Sequence, residues 1–296
     1  MDRTAVSVIV TTHGASPELA RCLAAICRPT PPDELFVADG ADVDTTFDIQ
    51  RWCPSAVVLH RPGQTVPELR WSAVRVARGE VIVATESRME PGAGWWQQLA
   101  DAHRRWPRAR TIGGTVECAA GASAMDRGLY LSEYAAFAPG STAGEVDAVS
   151  SGNLSYKRAA LEESRDLLDR GVWDTVLLER WRGAAGAIRL EPIAIAFLNG
   201  MSVWQASAMR VDYGRAYAAE RVRRDKPWRR AAFAAGAVGL PLLLTVRALA
   251  SAARTRSSAL TPGGAVWLLV FNTLWAAGEF AGYLAGDARR KARPRP

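Results

Sequence analysis

Short apolar runs alternate with helix-like segments over the first 115 residues, and this alternation limits the possible folds more than any other feature of the chain. The intervening segments carry helix start and stop signals, such as Ser16 and Pro17 at one start and Gly79 after another end. Strands separated by helices of this length predict an α/β fold, with a mostly parallel sheet and helices on both faces. The predicted strands are 6–12, 34–40, 56–60, 81–84 and 111–117, and the predicted helices are 16–26 and 67–79.

Polar residues stand where several of these strands end. Thr11 and Thr12 close the first strand, Asp39 closes the second, and Glu86 follows the apolar run 81–84. In parallel sheets of this kind, ligands bind at the carboxyl ends of the strands. We therefore expect these four side chains to lie along one edge of the sheet, next to a ligand.

Further along, the pattern is less regular. Residues 150–161 are typical of a loop that enters a helix, and residues 171–190 predict a loop, an amphipathic helix and a strand. The four cysteines show no CxxC pair and no histidine at metal-ligand spacing, which favours reduced, packed thiols in a cytosolic domain over a zinc site. The N-terminal apolar run is too short for a signal peptide, so we expect the first domain on the cytoplasmic side.

The C-terminal quarter differs from the rest of the chain in its distribution of apolar and charged residues. Residues 231–246 carry no charge, and residues 260–286 carry only Glu279, while basic clusters lie outside both runs and between them. We expect a domain at 1–220, followed by membrane-associated helices and a basic tail at 221–296. The helices could span the membrane as a hairpin or lie in its cytoplasmic interface; a buried helix pair is the non-membrane alternative.

The formal net charge of +7 and the pI near 9.6 suit a membrane surface or a phosphate-bearing substrate. The basic residues flank apolar runs and do not interleave with aromatic residues, so a nucleic-acid partner is disfavoured.

Seven segments, in order, resemble the family-2 glycosyltransferases, whose nucleotide-sugar-binding domain has the GT-A fold. They are VSVIVTTHGASPELARCL, DELFVADGAD, GQTVPELRWSAVRVARGEVIVATES, GGTVE, SGNLSYKRAAL, GVWDTVLLERWRGAAGAIRL and GEFAGYLAG. The resemblance covers nearly the whole chain, including the hydrophobic C-terminal segment. It implies a GT-A domain followed by a membrane-associated hydrophobic helical hairpin.

The resemblance implies a donor-binding role for several residues. Thr11 and Thr12 stand where the first strand meets the nucleotide, and Asp39 where a carboxylate accepts from the base. Arg70 matches an arginine that approaches the nucleotide. The alternatives are a turn-forming aspartate before Gly40 and a solvated helical arginine.

Glu86 matches the place where the family holds a divalent cation, Mg²⁺ or Mn²⁺, on the donor diphosphate. Some relatives carry Thr-Glu-Asp-His at this corner, whereas this chain has Thr-Glu-Ser-Arg. A serine is a weak metal ligand, and Arg88 could repel a metal or itself cover part of the diphosphate charge. The resemblance therefore leaves metal dependence open.

Asp174 is the expected catalytic base. Many relatives have a Glu-Asp pair with a leucine three residues and an arginine six residues later, and Asp174, Leu177 and Arg180 reproduce this spacing. Trp173 takes the glutamate's place and is expected on the acceptor side, with Asn153 and Tyr156 of SGNLSYKR. The alternative for Asp174 is an N-cap of the following helix, with Glu179 as the fallback base.

The resemblance implies an inverting transferase that moves a sugar, expected from a uridine diphosphate donor, to a lipid-linked or polysaccharide acceptor at the cytoplasmic membrane face. No Gln-x-x-Arg-Trp motif of the processive synthases follows Asp174, so a single addition is favoured. The second hypothesis is a pseudoenzyme that keeps the fold and serves as a nucleotide-sugar-binding membrane scaffold. The sugar, acceptor, linkage and oligomeric state stay open.

Overall fold

The computed structural model describes residues 5–222 and 226–285, and every element below lies in these ranges. The strands are β1 Val6–Thr12, β2 Glu34–Asp39, β3 Val57–His60, β4 Val81–Glu86, β5 Met89–Pro91, β6 Thr111–Cys118, β7 Gly144–Glu145, β8 Asn153–Lys157 and β9 Ile188–Phe197. The α-helices are α1 Pro17–Ile26, α2 Thr46–Trp52, α3 Val66–Val74, α4 Trp95–Arg105, α5 Ala124–Tyr134, α6 Arg158–Glu162, α7 Arg165–Leu168, α8 Asp174–Trp181, α9 Val203–Arg221, α10 Pro227–Ala237, α11 Leu240–Arg254 and α12 Pro262–Ala285.

The chain divides into two compact units. Unit 1 comprises Met1–Ala119 and Phe137–Gly200, and unit 2 comprises Ala120–Ala136 and Met201–Pro296. The expected division fell at residue 220, whereas unit 2 also takes in α5 and α9. Within unit 2 the reason for including α5 is close packing, because a Cβ placed on Gly128 of α5 would lie 2.3 Å from the Cβ of Trp267 on α12.

Unit 1 is built on one mixed sheet. Its strand order is β3-β2-β1-β4-β8-β6-β9-β5, with β7 also paired to β9. The first four strands run parallel, whereas β8 runs antiparallel to both of its neighbours, β4 and β6. The predicted parallel sheet therefore accounts for the β3-β2-β1-β4 half, and antiparallel pairings enter with β8.

The prediction of a loop that enters a helix over residues 150–161 missed a strand, because Asn153–Lys157, between the turn at 151–152 and the helix α6, form the central strand β8. Two of its polar side chains are fully buried, and both are satisfied inside the sheet. The Asn153 amide donates to the carbonyls of Thr115 and Ile193, at 2.8 and 2.9 Å, and the Ser155 hydroxyl donates to that of Ile112 at 3.1 Å. Because the carbonyls that accept from these polar side chains are distant in sequence, the local pattern of apolar and polar residues does not reveal the strand.

The helices that follow β1 and β3 begin at strong local signals. The Ser16 hydroxyl accepts from the amide of Leu19 at 3.2 Å, which makes it the N-cap of α1, as predicted. α3 begins with a capping box in which the Glu68 carboxylate accepts from both the amide and the hydroxyl of Thr65 at 2.8 Å. α3 ends at Val74, before the predicted end at residue 79.

The cysteines of unit 1 are packed thiols. Cys22 and Cys53 are buried, Cys27 and Cys118 are half-buried, and the Sγ atoms of Cys27 and Cys53 are 3.4 Å apart. Burial raises the pKa of the Cys22 thiol, and burial together with Cys53 raises that of Cys27 to about 12. At neutral pH both therefore stay protonated and unreactive.

His103 of α4 makes the stability of unit 1 depend on pH. It is 4% exposed and its Nε2 lies 3.0 Å from the Ser155 hydroxyl, and burial, aided by Lys157, lowers its pKa from 6.5 to about 4. Between pH 4 and pH 6.5 the unfolded chain therefore binds more protons than the folded one, so the stabilisation is full above pH 6.5 and falls as the pH drops toward 4.

We expect the free energy of unfolding to fall by about 2 kcal/mol between pH 7 and pH 5 because of His103. Urea unfolding at both pH values measures it, and His103→Gln should lose about that much of the pH dependence; an unchanged dependence would contradict the assignment.

Unit 2 is helical and packs through glycines. A Cβ on Gly278 of α12 would lie 2.1 Å from the carbonyl oxygen of Val211 on α9, and a Cβ on Gly214 of α9 would lie 2.3 Å from that of Trp275. The backbones of α9 and α12 therefore approach more closely than any larger side chain allows. Between them, the Glu279 carboxylate accepts from the indole of Trp275 and the hydroxyl of Tyr283, both on its own helix.

The two predicted apolar runs form three helices. α12 is 24 residues long and contains an 18-residue stretch with a mean hydropathy of 1.2, and among the described residues it is the single helix that could cross a membrane on length and composition alone. The first run bends by 57° between α10 and α11, and the two together pass the same test only as a broken pair. A span by α12 is thus compatible with the sequence, but a simple two-helix hairpin is not what the structure contains.

One face of α12 is apolar and exposed along its whole length. We call this face the α12 stripe; its large members are Val266, Leu269, Val270, Phe280 and Leu284, which are 38–64% exposed. At about 100° of rotation per residue, these five positions fall on one side of the helix. The hydroxyl of Thr273, on the same side, donates to the carbonyl of Leu269 at 2.8 Å, so it offers no free donor to its surroundings.

Candidate active site

The carboxyl ends of β1, β2 and β4 bring the predicted strand-end residues together in unit 1. Thr11 pairs in register with Glu86 across β1 and β4, and Thr12 pairs with Asp39 across β1 and β2. The predicted common edge is therefore confirmed. Both threonines are buried, and their hydroxyls donate to backbone carbonyls, Thr11 to Thr85 at 3.4 Å and Thr12 to Gly14 at 2.8 Å.

Asp39 organises the two loops at this edge. Its Oδ1 accepts from the amides of Gly14 and Ala41, both at 2.9 Å, and its Oδ2 accepts from the hydroxyl of Thr45 at 2.6 Å. The imidazole Nδ1 of His60 lies 3.6 Å from the same Oδ2. Asp39 is fully buried, so its carboxylate shapes the edge by holding the loops after β1 and β2.

Arg70 is a fully buried arginine at the centre of the site. Its Nη1 donates to Oδ2 of Asp174, 104 residues away in sequence, and its Nη2 donates to the carbonyl of Ser151 at 2.9 Å. The same Nη2 lies 4.0 Å from Oε1 of Glu86. The solvated alternative for Arg70 is wrong, because its side chain is 0% exposed. Arg70 therefore joins α3, the end of β4 and the start of α8.

Asp174 is the first residue of α8, and its side chain turns inward. It does not cap the helix; Trp173 is the N-cap and makes no side-chain cap bond. The Oδ1 of Asp174 accepts from the Tyr156 hydroxyl, while its Oδ2 accepts from Arg70. The carboxylate is 7% exposed, so it retains a small opening to solvent.

Aromatic packing holds the triad of Arg70, Tyr156 and Asp174 in place. The Tyr156 ring lies between those of Trp71 and Trp181, with centroids 6.0 and 6.1 Å away. The indole of Trp71 donates to the carbonyl of Val172 at 2.7 Å, just before α8 begins. α3 therefore positions both the arginine and the loop that delivers Asp174.

The protonation states of the triad follow from burial and charge. Burial alone would lower the pKa of the Arg70 guanidinium, but Asp174, Tyr156 and Glu86 outweigh it, so its pKa lies above its usual value. Burial, and then the Asp174 carboxylate, raise the pKa of Tyr156. Arg70 therefore remains charged and Tyr156 remains a hydrogen-bond donor at neutral pH.

Glu86 stands between two guanidinium groups. Its Oε1 faces Arg70, and its Oε2 lies 3.7 Å from Nη2 of Arg88. Arg88 is itself held by the Phe197 ring, 5.2 Å from the guanidinium carbon, and its carbonyl accepts from the amide of Leu198 at 2.7 Å. We call Arg70, Glu86 and Arg88 the arginine corner.

The arginine corner does not fit a divalent cation. Mg²⁺ and Mn²⁺ require several hard oxygen ligands at about 2.0–2.2 Å, and here one carboxylate is flanked by two fixed positive charges. Within residues 5–222 and 226–285 there is no group of three His, Cys, Asp or Glu side chains that could hold a metal ion. The predicted metal ligand Glu86 is therefore engaged with arginines, and its neighbour Ser87 adds only a weak ligand.

The three residues expected on the acceptor side lie in different environments. Asn153 is buried, and its amide oxygen also accepts from the Trp95 indole at 2.8 Å, so this side chain is occupied within the sheet. Tyr156 is buried against Asp174, and Trp173 is half-buried at the start of α8. The fallback base Glu179 lies on the exposed side of α8. Trp173 is thus the one of the three that is open to solvent.

Sequence reasoning missed the partnership of Tyr156 and Arg70 with Asp174, and the support of Arg88 by Phe197. No local signal announces these pairs, because they join segments far apart in the chain. A cavity of about 390 Å³, lined by Val81, His103 and Lys157 among others, opens instead at the start of β4. Since ligands of such sheets bind at the carboxyl ends of the strands, we place the site at the Thr11–Glu86 edge.

Several solved structures with a similar fold are glycosyltransferases. A mannosyltransferase from Pyrobaculum calidifontis, in complex with GDP-Man and Mn²⁺, has a TM-score of 0.58 and 18% identity, covering 95% of this chain and 87% of its own. S. aureus TarS 1–349 in complex with UDP-GlcNAc has a TM-score of 0.52 and 15% identity, covering 75% and 68%. Glucosyl-3-phosphoglycerate synthase from Mycobacterium tuberculosis, with Mn²⁺ and UDP-Glc, has a TM-score of 0.50 and 17% identity, covering 75% and 79%.

No protein-family model and no curated protein sequence matches the chain. At the identities above, the similarity establishes the fold. The chain has the GT-A fold, as its sequence resemblance predicted.

Proposed function

We propose that the protein is a glycosyltransferase that takes a sugar from a nucleoside diphosphate donor. The observation that carries this proposal is the strand-end edge of a GT-A fold, where Asp39, Arg70, Glu86 and Asp174 meet in unit 1. The solved structures of similar fold described above are complexes with GDP-Man, UDP-GlcNAc or UDP-Glc. We propose a UDP-sugar as the donor and keep GDP-mannose as the first alternative to be tested.

The donor would lie along the edge formed by Thr11, Thr12 and Asp39. Because the Asp39 oxygens already accept from Gly14, Ala41 and Thr45, its contribution to a nucleobase would be largely to hold the loop backbones that line the base. A direct bond from a ring N–H remains the prediction for its Oδ2, which accepts one good hydrogen bond, from Thr45.

The transfer itself would invert the anomeric centre and add a single sugar. The acceptor oxygen forms a bond to the anomeric carbon while the bond to the β-phosphate oxygen breaks, and its electron pair stays on the diphosphate. The acceptor proton would pass to Asp174, whose carboxylate is 7% exposed. Arg70 and Tyr156 would fix the direction of this carboxylate, and Trp173 would form part of the acceptor side.

A second candidate is a catalytically impaired scaffold that binds a nucleotide sugar. The favouring observation is that both oxygens of Asp174 already accept from buried partners, which leaves fewer lone pairs for an acceptor proton. In that case Asp174 would serve only to hold Arg70.

Unit 2 would attach the enzyme to a membrane, where a lipid-linked or polysaccharide acceptor of the cell envelope is made. The α12 stripe supports this, because it is an exposed, largely apolar face from Val266 to Leu284 on a helix of 24 residues. Exposed arginines on α10 and α11, Arg229 and Arg247, suit the anionic cytoplasmic leaflet. We propose the cytoplasmic face for the active site on this basis.

The test is turnover of candidate donors by the full-length protein. UDP-glucose, UDP-GlcNAc and GDP-mannose are each incubated with membrane lipid extract, and release of the nucleoside diphosphate is measured. Release above the no-protein level from at least one donor supports the transferase. Tight nucleotide binding without release from any donor would favour the scaffold, and neither binding nor release would reject both.

A further inference from the structure

We propose that Arg88 neutralises the donor diphosphate, so that nucleotide binding requires no divalent cation. This inference rests on the proposed function and concerns the same site. It names the arginine corner as the phosphate-binding element, with Arg88 as the group that contacts the phosphate and Glu86 as the residue that positions it.

The first ground is the charge of the corner. The corner of some relatives that this sequence resembles, Thr-Glu-Asp-His, carries two carboxylates, and the resemblance implies that such a pair holds a divalent cation on the diphosphate. Here Ser87 removes one negative charge and Arg88 adds one positive charge. With a neutral histidine as the reference, the fixed charge rises by two, which equals the charge that Mg²⁺ or Mn²⁺ would bring.

The second ground is geometry. Each oxygen of Glu86 faces a guanidinium, Arg70 Nη2 at 4.0 Å and Arg88 Nη2 at 3.7 Å. A cation bound to Glu86 would therefore sit close to two positive charges. Arg70 is fully buried and tied to Asp174 and Ser151, so it cannot move away from such a cation.

The third ground is the way Arg88 is held. It lies between β4 and β5, its carbonyl is bonded to Leu198 after β9, and its guanidinium lies over the Phe197 ring. Glu86 at 3.7 Å orients the charged end. A planar guanidinium in a fixed position can donate two parallel hydrogen bonds to phosphate oxygens, which a flexible lysine cannot reproduce.

In the transfer step, Arg88 would stabilise charge without taking part in bond exchange. The bond between the anomeric carbon and the β-phosphate oxygen breaks, and its electron pair remains on the departing diphosphate. Arg88 donates hydrogen bonds to that growing negative charge and keeps its protons. Such a group acts without any added ion or redox partner.

Calorimetric titration of UDP into the full-length protein, in chelator and then in Mn²⁺, tests the proposal. We expect the two dissociation constants to agree within about threefold. Arg88→Ala should weaken binding about tenfold to a hundredfold in both buffers, since a charge-assisted bond is lost. Arg88→Lys should recover only part of the UDP affinity that Arg88→Ala loses. Arg104→Ala, which removes an exposed arginine paired with Asp101 on its own helix, is the matched control and should bind like wild type.

A second measurement counts the bound metal ion directly. Electron paramagnetic resonance counts Mn²⁺ bound in the presence of UDP, and we expect none beyond the UDP control for wild type. The double variant Ser87→Asp with Arg88→His should bind the ion and make UDP binding depend on it. UDP binding by wild type only with Mn²⁺, or an unaffected Arg88→Ala, would overturn the inference while the proposed function stands. Binding of neither UDP nor GDP in either buffer would reject both.

Discussion

Replacing Asp174 with alanine is expected to destabilise unit 1 by about 3–5 kcal/mol and to abolish sugar transfer. The cost arises because Arg70 is fully buried, and loss of the carboxylate leaves its charge with no ionic partner closer than Glu86 at 4.0 Å. The Tyr156 hydroxyl loses its acceptor at the same time. Urea unfolding of the full-length protein measures the stability, and release of the nucleoside diphosphate measures the transfer.

A compensating pair separates the structural role of Asp174 from the catalytic one. Arg70→Met with Asp174→Leu removes both charges, and we expect it to regain most of the lost stability. If Asp174 is the base, this pair folds and stays inactive. Asp169→Asn is the matched control, because that carboxylate is 60% exposed and pairs with exposed Arg75. Full activity in Asp174→Asn would exclude Asp174 as the base.

Placing aspartate at two positions of the α12 stripe is expected to release the protein from membranes. Leu269 and Phe280 are 45% and 43% exposed, so both side chains reach the surface of the helix. A charged residue in place of an apolar one costs about 3 kcal/mol per site in a bilayer. Membrane partitioning of the double variant should therefore fall about a hundredfold or more. Co-sedimentation with vesicles of phosphatidylcholine and phosphatidylserine measures this.

Val43→Asp with Phe47→Asp is the matched control for the stripe. These residues of unit 1 are more exposed, at 74% and 77%, and lie outside the stripe. We expect this variant to bind vesicles like wild type. Equal losses in both variants would show that general hydrophobicity, and not the α12 stripe, causes binding, and retention of the stripe variant would contradict membrane docking by α12.

The parts of the fold that follow from local chemistry were predictable. The runs that form β1 and β4 are rich in β-branched residues, β2 has an apolar centre at residues 35–38, and α1 begins at Ser16 and Pro17 as its sequence indicates. The rule that ligands bind at the carboxyl ends of parallel strands placed Thr11, Asp39 and Glu86 on one edge. The register of β1 with β2 and β4 confirms that placement.

The parts that depend on distant partners were not predictable. β8 has the polar sequence Asn-Leu-Ser-Tyr-Lys, and it is a strand because carbonyls of β6 and β9 accept from its buried side chains. Here packing, and not local preference, decides the backbone conformation. The break between α10 and α11 has local signals instead, because Gly239 is the N-cap of α11 and Pro241 stands in its first turn, within an uncharged run.

The sequence by itself determined the α/β class, the strand-end edge and the residues that could form a site, because β-branched runs, helix caps and chain direction act over a few residues. The tertiary structure alone decided what those residues do. It buried Arg70 against Asp174 across 104 positions and set Glu86 between Arg70 and Arg88, which turned an expected metal ligand into one member of an arginine corner. The physical reason is that the energy of a buried charge depends on the partners that folding brings within a few ångströms, and no local pattern specifies them.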